Sequence, residues 1–427
     1  MKVTHYFLLV VMCVVFPLQA QQTYLHCGHI FDAKKGKLKA KQTLIVEGTS
    51  IVDIQNGFVA PPSNAQLIDL SAKTVLPGFI DMHVHIEGET SKMGLLKRFV
   101  DNEADTAFDA AQNAKKTLLA GFTTVRDLGG SGVNVALRNA IAAAKVPGPR
   151  IITAEKAIGT TGGHADPTNG SRKSLMGDPG PAEGVINSVD DAKKAVRQRY
   201  KNGADCIKIT ATGGVTSVTK NGQNPQFTIE EIQAIVATAN DYGMHVAAHA
   251  HGDEGMYRAV YAGVTTIEHG TLIKDRTIAL MAEKDTYLVP TISAGKHVAK
   301  LAKIKGYLPE IVVPKALAIG PQHQANFAKA YKKGVPIAFG TDAGVFPHGE
   351  NAHEFEYMVE SGVPPVKALQ SATITNAKIL NLENEIGQLQ TNFQADIIAV
   401  DENPIENIAT LNTVRFVMKA GVVYKQE

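Results

Sequence analysis

Cysteine is scarce in this chain, which holds three cysteines, Cys13, Cys27 and Cys206, among 427 residues. Small secreted domains held together by disulfides are rich in cysteine, and zinc fingers need closely spaced cysteines. Neither pattern occurs here, and Cys206 lies in an apolar, strand-like segment. The scarcity therefore argues against a disulfide framework and against a cysteine-based zinc site.

An excess of charge of one sign is also missing. The chain has 43 lysines and arginines against 41 aspartates and glutamates, a formal net charge of +2, and no long run of like charges. Proteins that bind nucleic acids usually concentrate basic residues, so this balance argues against a nucleic-acid partner. At 427 residues, the chain can hold one large domain and a second, smaller one.

Long apolar runs are limited to residues 6–16, which follow Lys2 and precede the small residue Ala20. This layout predicts a secretory signal peptide over residues 1–20, cut after Ala20, and therefore a secreted or periplasmic protein. A membrane-spanning helix needs about 20 apolar residues, so we expect no membrane attachment after cleavage. A retained anchor is the alternative. Met12 stands before Cys13 where a lipoprotein signal needs a small residue, which disfavours lipidation.

Both ends of the chain are rich in short strand-like segments separated by turns, for example residues 50–54 and 395–400. Strands at both ends that flank a long middle region indicate one small domain to which both termini contribute. We therefore predict a β-sandwich domain made from residues 21–75 and 386–427.

The middle region, residues 76–385, alternates between apolar strand-like segments and helical patterns. Eight strands are predicted, over residues 74–83, 123–128, 150–154, 206–210, 245–249, 265–268, 287–291 and 337–340. Regular alternation of strands and helices is typical of α/β proteins with a parallel sheet, and eight such units predict a (β/α)8 TIM barrel. A doubly wound open sheet is the alternative, but no glycine-rich phosphate motif follows the first strand.

Three helices carry clear end signals. Residues 106–120 are followed by Gly121, a residue suited to a helix C-terminus, and residues 188–201 begin with the N-capping residue Ser188. Residues 228–242 begin with Thr228 and have Glu231 three positions later, which predicts a capping box.

Five polar segments stand at the ends of predicted strands, where a barrel assembles its active site. In the first, His83 and His85 are two residues apart. Side chains alternate along a strand, so these two imidazoles point to the same side. Such a pair can hold one metal ion.

The second segment contains Lys208 within an apolar strand. A buried lysine is costly unless it is paired or neutralised, so two interpretations stand. The lysine forms a salt bridge inside the barrel, or its amine reacts with carbon dioxide. The resulting N6-carboxylysine has two anionic oxygens that could bridge two divalent cations.

The remaining three segments present His249 with His251, then His269, then Asp342. A single histidine or aspartate at a strand end is more often structural than functional. Five such segments in order, all offering nitrogen or oxygen ligands, make coincidence a poor explanation.

The segments KITATGG, AAHAHG, IEHG and GTDAGVFPHG, and the order His-x-His, Lys, His, His, Asp, resemble the amidohydrolase superfamily. The resemblance extends over nearly the whole mature chain and is strongest to the prolidase-like and imidazolonepropionase-like branch. One departure is Asn392, where that branch usually has glycine. Asparagine tolerates a left-handed backbone, so we expect this change to be harmless.

The resemblance implies a pair of divalent metal ions. Ligands that offer nitrogen and oxygen but no thiolate suit zinc, with manganese or cobalt as substitutes. The implied metal ligands are His83, His85 and Asp342 for one ion, His249 and His269 for the other, and carboxylated Lys208 between them. Some members of the wider branch bind a single ion, which leaves the number of ions open.

The resemblance also implies a reaction: hydrolysis of an amide bond by a hydroxide held between the two ions. Asp342 would accept the proton of the hydroxide and then deliver it to the leaving amine. His251 would face the substrate and stabilise the developing oxyanion. Because an amine leaves poorly unless it is protonated, we expect Asp342 to be indispensable.

For the substrate, the resemblance implies a small peptide from which the C-terminal residue, arginine, lysine or proline, is released by a dipeptidase or carboxypeptidase. The candidates for holding the substrate carboxylate are His164, Arg172 and His251. The candidates for holding a cationic side chain are Glu350, Glu87, Asp166 and Glu354.

Two other functions remain open. One is hydrolysis of a cyclic amide or an N-acyl amino acid, as in imidazolonepropionase, although the signal peptide disfavours a cytoplasmic pathway. The other is an inactive barrel that serves as a binding protein, which the presence of all six expected ligands disfavours. We expect a small-molecule or dipeptide substrate, and a homo-oligomer is possible on the same resemblance.

Overall fold

The structure is a computed structural model that describes residues 21–427, with the side chains of Leu95 and Arg98 left aside. The predicted signal peptide, residues 1–20, lies outside this range. Among the described residues, no helix is both long enough and apolar enough to cross a membrane.

Sixteen strands are present in the described part of the chain. They are β1 Thr23–Asp32, β2 Lys37–Glu47, β3 Ser50–Asn56, β4 Gln66–Pro77, β5 Phe79–Val84, β6 Phe122–Asp127, β7 Arg150–Thr153, β8 Gly159–Thr160, β9 Val185–Ile186, β10 Ile207–Thr210, β11 Val246–Ala250, β12 Thr266–His269, β13 Tyr287–Val289, β14 Ile397–Val400, β15 Phe416–Lys419 and β16 Val422–Gln426.

The helices lie mostly between the strands of the middle region. The α-helices are α1 Gly94–Val100, α2 Glu103–Leu119, α3 Val133–Ala142, α4 Lys173–Met176, α5 Val189–Lys201, α6 Ile229–Asp241, α7 Asp253–Ala262, α8 Asp275–Glu283, α9 Ile292–Leu301, α10 Val313–Lys332, α11 His353–Glu360, α12 Pro365–Gln370 and α13 Asn376–Ile379. A π-helical turn spans Ser371–Thr375, and a 3-10 helix spans Ile408–Asn412.

Strands from both ends of the chain form one seven-stranded sheet in the order β16-β15-β14-β4-β1-β2-β3. β4 lies at its centre, parallel to β1 and antiparallel to β14. A separate apolar cluster covers this sheet and draws on both chain ends, with Leu25 and Ile68 packing beside Ile397 and Phe416. The shared sheet is as the sequence predicts, whereas its division into two packed layers and the domain limits remain predictions.

The middle region contains two parallel sheets, β5-β6-β7 and β10-β11-β12-β13, with helices between successive strands. The largest apolar cluster fills the space between these strands and the helices that cover them. The fold is therefore α/β with parallel sheets, as the alternation of strands and helices predicts.

Backbone hydrogen bonds join the two parallel sheets at both edges. Between β7 and β10, the amide of Asp205 donates to the carbonyl of Thr153 at 2.7 Å. At the other side, residues 336–343 bond to both β13 and β5, through Ala338 N to Leu288 O at 3.0 Å and Asp342 N to His83 O at 2.7 Å. Each parallel sheet thus continues into the next.

The predicted eighth strand, residues 337–340, needs a correction. Residues 337–343 lie between β13 and β5 but form only isolated parallel bridges, Leu288 with Ile337 and Val84 with Ala343, instead of a regular strand. Pro336 has no N–H to donate to a ladder, and the backbone leaves the extended region at Asp342, with φ of 61°.

The predicted first strand of the middle region, residues 74–83, is divided in two. β4 ends at Pro77 in the shared sheet and β5 starts at Phe79 in the parallel sheet. At Gly78 between them, a Cβ would lie 2.2 Å from Oγ1 of Thr123, so only glycine allows this close crossing.

The predicted helix ends are confirmed within three residues. Ser188 caps α5 by accepting a hydrogen bond from the amide of Asp191, and Thr228 forms the predicted capping box with Glu231 at the start of α6. Asn392 has φ of 71°. Asparagine therefore supplies the left-handed conformation expected at that position.

Candidate metal centre

The parallel strands bring the predicted polar side chains to one end of the two sheets. In the register of β10, β11 and β12, Thr210 pairs with His249, and Ala250 pairs with His269. His83 comes from β5, which the bonded segment 336–343 joins to β13. Residues distant in sequence therefore meet at the carboxyl ends of neighbouring strands.

Three short contacts centre on His83 and Asp342. Nε2 of His83 lies 3.4 Å from Nζ of Lys208 and 3.5 Å from Oδ1 of Asp342. Nε2 of His85 lies 3.4 Å from the same carboxylate oxygen. The first His-x-His pair, the buried lysine and the aspartate therefore share one small volume.

Two overlapping groups of side chains bring their ligand atoms within 4.8 Å of one another. One contains His249, His251 and His269, and the other contains His83, His269 and Asp342. All five side chains are buried. Because His269 belongs to both groups, the two sets of donors form a single continuous cluster.

Hydrogen bonds to the outer ring nitrogens orient the imidazoles. Nδ1 of His83 lies 2.9 Å from Glu268, Nδ1 of His85 lies 2.8 Å from the carbonyl of Gly129, and Nδ1 of His269 lies 2.7 Å from Oγ1 of Thr291. A partner on Nδ1 leaves Nε2 as the free donor atom. His83, His85 and His269 therefore offer Nε2 to the cavity.

His249 is turned the other way. Its Nε2 lies 3.2 Å from the carbonyl oxygen of Gly213, so the ring N–H donates there and Nδ1 carries the free lone pair. The backbone at Gly213 thus decides which nitrogen of His249 is available.

Burial keeps these histidines neutral. It lowers the pKa of His83, His249, His251 and His269 well below the usual range, and it lowers the pKa of His85 to about 4. The nearby amine of Lys208 lowers these pKa values further, and protonation of one imidazole would repel a second proton on its neighbours. A neutral imidazole has a lone pair to give, so each ring is ready to bind a cation at neutral pH.

Burial shifts the pKa values of Asp342 and Lys208 in opposite directions. Burial raises the pKa of Asp342 and lowers the pKa of Lys208, so removal from water favours the uncharged form of both. Oδ1 of Asp342 is buried without any hydrogen-bond partner. An unpartnered buried carboxylate oxygen beside neutral imidazoles is a donor set that fits a divalent cation.

Strained backbone marks the same region. His269, Thr291 and Asp342 all have positive φ, at 74°, 54° and 61°. Non-glycine residues with this conformation are uncommon, cost free energy and cluster at functional sites. His269 ends β12, Thr291 follows β13, and Asp342 lies in the segment that joins β13 to β5; no feature of the sequence indicates these conformations.

A buried ion pair behind His83 was not predicted from the sequence. Glu268 and Arg126 are both fully buried, and Nη2 of Arg126 donates to Oε1 of Glu268 at 2.9 Å. Oε2 of Glu268 faces Nδ1 of His83. A charged residue inside an apolar strand, the feature that singled out Lys208, is present at both positions and could have found them.

Above these side chains lies a cavity of about 390 Å³. His83, His85, Lys208, His249, His251, His269 and Asp342 line its floor. One wall is apolar and contains Val298 from α9, Ala316 and Ile319 from α10, and Val215 and Val345 from two loops. The cavity therefore combines polar donors with a surface suited to an uncharged group.

The predicted substrate-binding residues divide into two sets. His164 and His251 line the cavity, and Nδ1 of His164 is buried without a partner. Arg172 and Glu350 are exposed and do not belong to the cavity lining. Their assignment to substrate binding remains a prediction that the geometry does not support.

The other predicted carboxylates for a cationic substrate are used within the protein. Glu87 accepts hydrogen bonds from the amides of Ser131 and Asn134, and Asp166 accepts them from the loop that contains it. Glu354 accepts from the amides at the start of α9. Among the described residues, Asp342 is the one carboxylate in the cavity lining.

A parallel α/β fold with polar side chains gathered at the strand ends defines a class of enzymes that act on small substrates. Residues 74–424 match the amidohydrolase family. This match covers most of the chain, and the chain belongs to that family.

Solved structures and a characterised relative agree with this assignment. An Xaa-Pro dipeptidase with methionine bound in its active site is 51% identical, covers 95% of this chain and 100% of its own, and superimposes with a TM-score of 0.92. A prolidase in complex with N-methylphosphonate-L-proline is 32% identical over the same shares of both chains, with a TM-score of 0.87. Ochratoxinase from Aspergillus niger is 30% identical over 368 residues, 82% of this chain and 75% of its own.

The predicted membership of the prolidase-like part of the amidohydrolase superfamily is therefore confirmed. The protein is a hydrolase that acts on carbon–nitrogen bonds.

Proposed function

We propose that the protein is a metal-dependent dipeptidase that releases a C-terminal proline or another uncharged residue. The observation that carries the proposal is the position of Asp342. Its unpartnered, buried Oδ1 lies 3.5 Å and 3.4 Å from the imidazoles of His83 and His85, on the floor of a cavity with an apolar wall. The fold proposed for this enzyme is the closed (β/α)8 barrel, supported by the hydrogen bonds that join the two parallel sheets at both edges.

The proposed metal ligands are His83, His85, Asp342, His249, His269 and Lys208. Two divalent ions, zinc by preference, would supply an acidified water and polarise the scissile carbonyl when bound. We propose that Lys208 carries the N6-carboxyl modification. Burial lowers the pKa of Lys208 to about 8, so more of its amine is in the neutral form that reacts with carbon dioxide than in an exposed lysine, and Nζ lies 3.4 Å from Nε2 of His83.

Asp342 is proposed to move the proton. Burial raises its pKa, so this carboxyl group accepts a proton near neutral pH and can pass it to the nitrogen of the leaving amine. The neutral ring of His251 lies 2.8 Å from the hydroxyl of Thr271, which fixes its orientation. His251 would then donate a hydrogen bond to the carbonyl oxygen of the substrate as negative charge develops there.

The cavity favours an uncharged residue over arginine or lysine. A cationic side chain held away from water needs a carboxylate partner, and the one carboxylate in the described lining is Asp342, which is proposed to act in proton transfer. Val298, Ala316 and Ile319 offer a proline ring or an aliphatic side chain an apolar contact instead. The names of the two similar dipeptidase structures, Xaa-Pro dipeptidase and prolidase, point the same way.

His164 is proposed to hold the substrate carboxylate. His164 lines the cavity, its Nδ1 is buried close to Gly214 without a hydrogen-bond partner, and its ring centroid lies 4.4 Å from that of His249. Hydrolysis of an N-acyl amino acid is the second candidate, because such a substrate presents the same carboxylate and amide.

The experiment that tests the proposal is a panel of dipeptides and N-acyl amino acids assayed for amino-acid release by the zinc-loaded enzyme. We expect Ala-Pro and Ala-Leu to be cleaved with kcat/KM at least about tenfold above that for Ala-Arg, the factor that about 1.4 kcal/mol of unpaired charge would give. Equal or faster cleavage of Ala-Arg would contradict the proposed substrate class, and cleavage of N-acyl amino acids alone would favour the second candidate.

Asp342→Asn tests the proposed proton transfer with the same substrates. It preserves the shape of the side chain but cannot carry the proton, so turnover should be lost while the circular dichroism spectrum stays that of the wild type. Turnover close to that of the wild type would rule out the assigned role.

Secretion to the periplasm or outside the cell is proposed for the mature chain that begins at Gln21, and its support is the composition of residues 1–20.

A further inference from the structure

Lys315, in the first turn of α10, is a buried lysine that the proposed mechanism does not use. Its Nζ donates three hydrogen bonds to backbone carbonyl oxygens, at 3.1 Å to Gly214, 2.6 Å to Ser217 and 2.9 Å to Thr219. All three acceptors belong to residues 211–228, which connect β10 to α6. An ammonium group has three N–H donors, so this segment satisfies the lysine completely.

The segment that Lys315 holds is part of the candidate metal centre. The carbonyl oxygen of Gly213 faces Nε2 of His249 and sets which nitrogen of that ring is free. Gly214 packs so closely on the ring of His164 that a Cβ would lie 2.2 Å from it. Val215 lines the cavity itself. Displacement of this segment would therefore change the floor and the wall of the cavity together.

The segment has little regular structure of its own between its ends. Its base is closed where the amide of Gly213 donates to the carbonyl of Asn224 at 3.1 Å, and Thr212 forms a bridge with Pro225. Within the bend, the hydroxyl of Ser217 donates to the carbonyl of Gly214. Charge-assisted hydrogen bonds are about twice as strong as neutral ones, so the three from Lys315 dominate the attachment of the bend to α10.

We propose that Lys315 is a positioning residue that fixes the loop between β10 and α6 against α10 and thereby holds His249, His164 and the cavity wall in their working arrangement. The part of this inference that concerns catalysis rests on the proposed function. The part that concerns the loop depends on geometry alone, and the two are tested separately.

The loop contains its own reporter, since Lys220 is exposed and offers trypsin a cleavage site after the bend. Lys315→Met keeps the length of the side chain and removes the ammonium group. We expect trypsin to cleave after Lys220 at least about tenfold faster in native Lys315→Met than in the wild type, because cleavage follows the open population of the loop. Lys332→Met, an exposed position at the end of the same helix, is the matched control and should cleave at the wild-type rate.

Two further measurements connect the loop to the site. Lys315→Met should bind zinc at least about tenfold more weakly than Lys332→Met, because His249 loses the carbonyl that orients it. Loss of such an outer partner of a metal ligand typically lowers metal affinity by about 10- to 100-fold. For dipeptide cleavage, we expect Lys315→Met to raise KM more than it lowers kcat. Lys315→Arg keeps the positive charge, so it should recover part of the trypsin resistance, although its larger side chain shifts its neighbours on α10.

Unchanged cleavage after Lys220 in folded Lys315→Met would overturn the proposal, whatever substrate the enzyme takes. If Lys315→Met does not fold, Lys315→Arg serves in its place. The proposal would then be overturned if trypsin cleaved Lys315→Arg after Lys220 as fast as it cleaves wild-type protein that has been partly unfolded by heat. Faster loop cleavage together with unaltered zinc affinity would overturn the link to His249. Absence of dipeptide hydrolysis by the wild type would instead count against the proposed function, because the trypsin and zinc measurements do not depend on it.

Discussion

At the scale of the residue, burial decides the protonation of most groups near the cavity. Glu354 is fully buried behind α9 and accepts hydrogen bonds from the amides of Ile292 and Ser293 and the hydroxyl of Ser293. Burial nevertheless raises the pKa of Glu354 to about 7. The folded protein therefore keeps a proton that the unfolded chain releases at much lower pH.

This difference predicts a stability change with pH. With an unfolded pKa near the usual 4.5 and a folded pKa near 7, the contribution of Glu354 is fully present below about pH 4.5 and is lost as pH rises to about 7. Glutamine cannot ionise, so between pH 5 and pH 8 the free energy of unfolding of Glu354→Gln should fall by less than that of the wild type. The difference between the two proteins should reach up to about 3 kcal/mol. Urea unfolding at both pH values measures this, and parallel pH profiles for the two proteins would contradict it.

Sequence patterns found the residues that offer donors but not those that orient them. The six predicted ligands stood out because histidine, lysine and aspartate at strand ends are unusual, and the structure brings them together. Glu268 lies 185 residues from His83 and 142 residues from Arg126 in the sequence, and Lys315 lies 96 to 101 residues from the carbonyl groups that it contacts. Such partners become visible only when the chain is folded.

At the scale of the element, strand ends and helix starts were predictable because short-range chemistry sets them. Ser188 and Thr228 satisfy the free amides of the first helical turns, and side-chain type alone reveals this. The division at Gly78 was not predictable, because it depends on Thr123, which lies across the sheet. For the eighth strand, Pro336 is visible in the sequence, whereas the left-handed backbone at Asp342 is not.

The start of α7 shows how closely such elements approach one another. Gly252 follows His251, and a Cβ on Gly252 would lie 1.9 Å from the carbonyl oxygen of Gln223 in the loop before α6. Neither backbone can move without moving the cavity. Glycine is therefore required here for space and not for an unusual φ.

Gly252→Ala should consequently destabilise the protein by about 1–3 kcal/mol, the usual cost of overpacking, and should also lower the rate of hydrolysis. Thermal unfolding and the dipeptide assay measure the two effects. Gly180→Ala is the matched control, because its Cβ would meet open space, and it should stay within about 0.5 kcal/mol of the wild type. If Gly252→Ala and Gly180→Ala were equally stable, the loop that contains Gln223 would be able to move away from residue 252 without loss of stability, which would contradict the prediction.

At the scale of the whole molecule, the neutral cluster of imidazoles and carboxylate predicts that bound metal stabilises the fold. A ligand that binds only the folded state at 100 times its dissociation constant adds about 2.7 kcal/mol. Chelation should lower the Tm by several degrees, and zinc should restore it. His269→Ala should remove this response, because His269 belongs to both donor groups. A Tm that chelator and zinc leave unchanged would contradict the metal centre.

The overall architecture was predictable from the alternation of segments, and its membership of the amidohydrolase family from a few motifs. Whether the end sheet forms two layers was not predictable, because that depends on the twist of seven strands and on the packing of Leu25, Ile68 and Phe416 between them. Alternation along one strand shows which side is apolar but not what covers it.

The central place of β4 has a consequence for the order of synthesis. β4 leads directly into β5 and its two histidines, yet its neighbour β14 is made about 320 residues later. A nascent chain that has not reached Ile397 can already hold all six predicted metal ligands, but it lacks the strand that anchors β4. Because such distant pairings form late, the enzyme should mature only after translation is complete, and proteins truncated before Ile397 should bind no zinc.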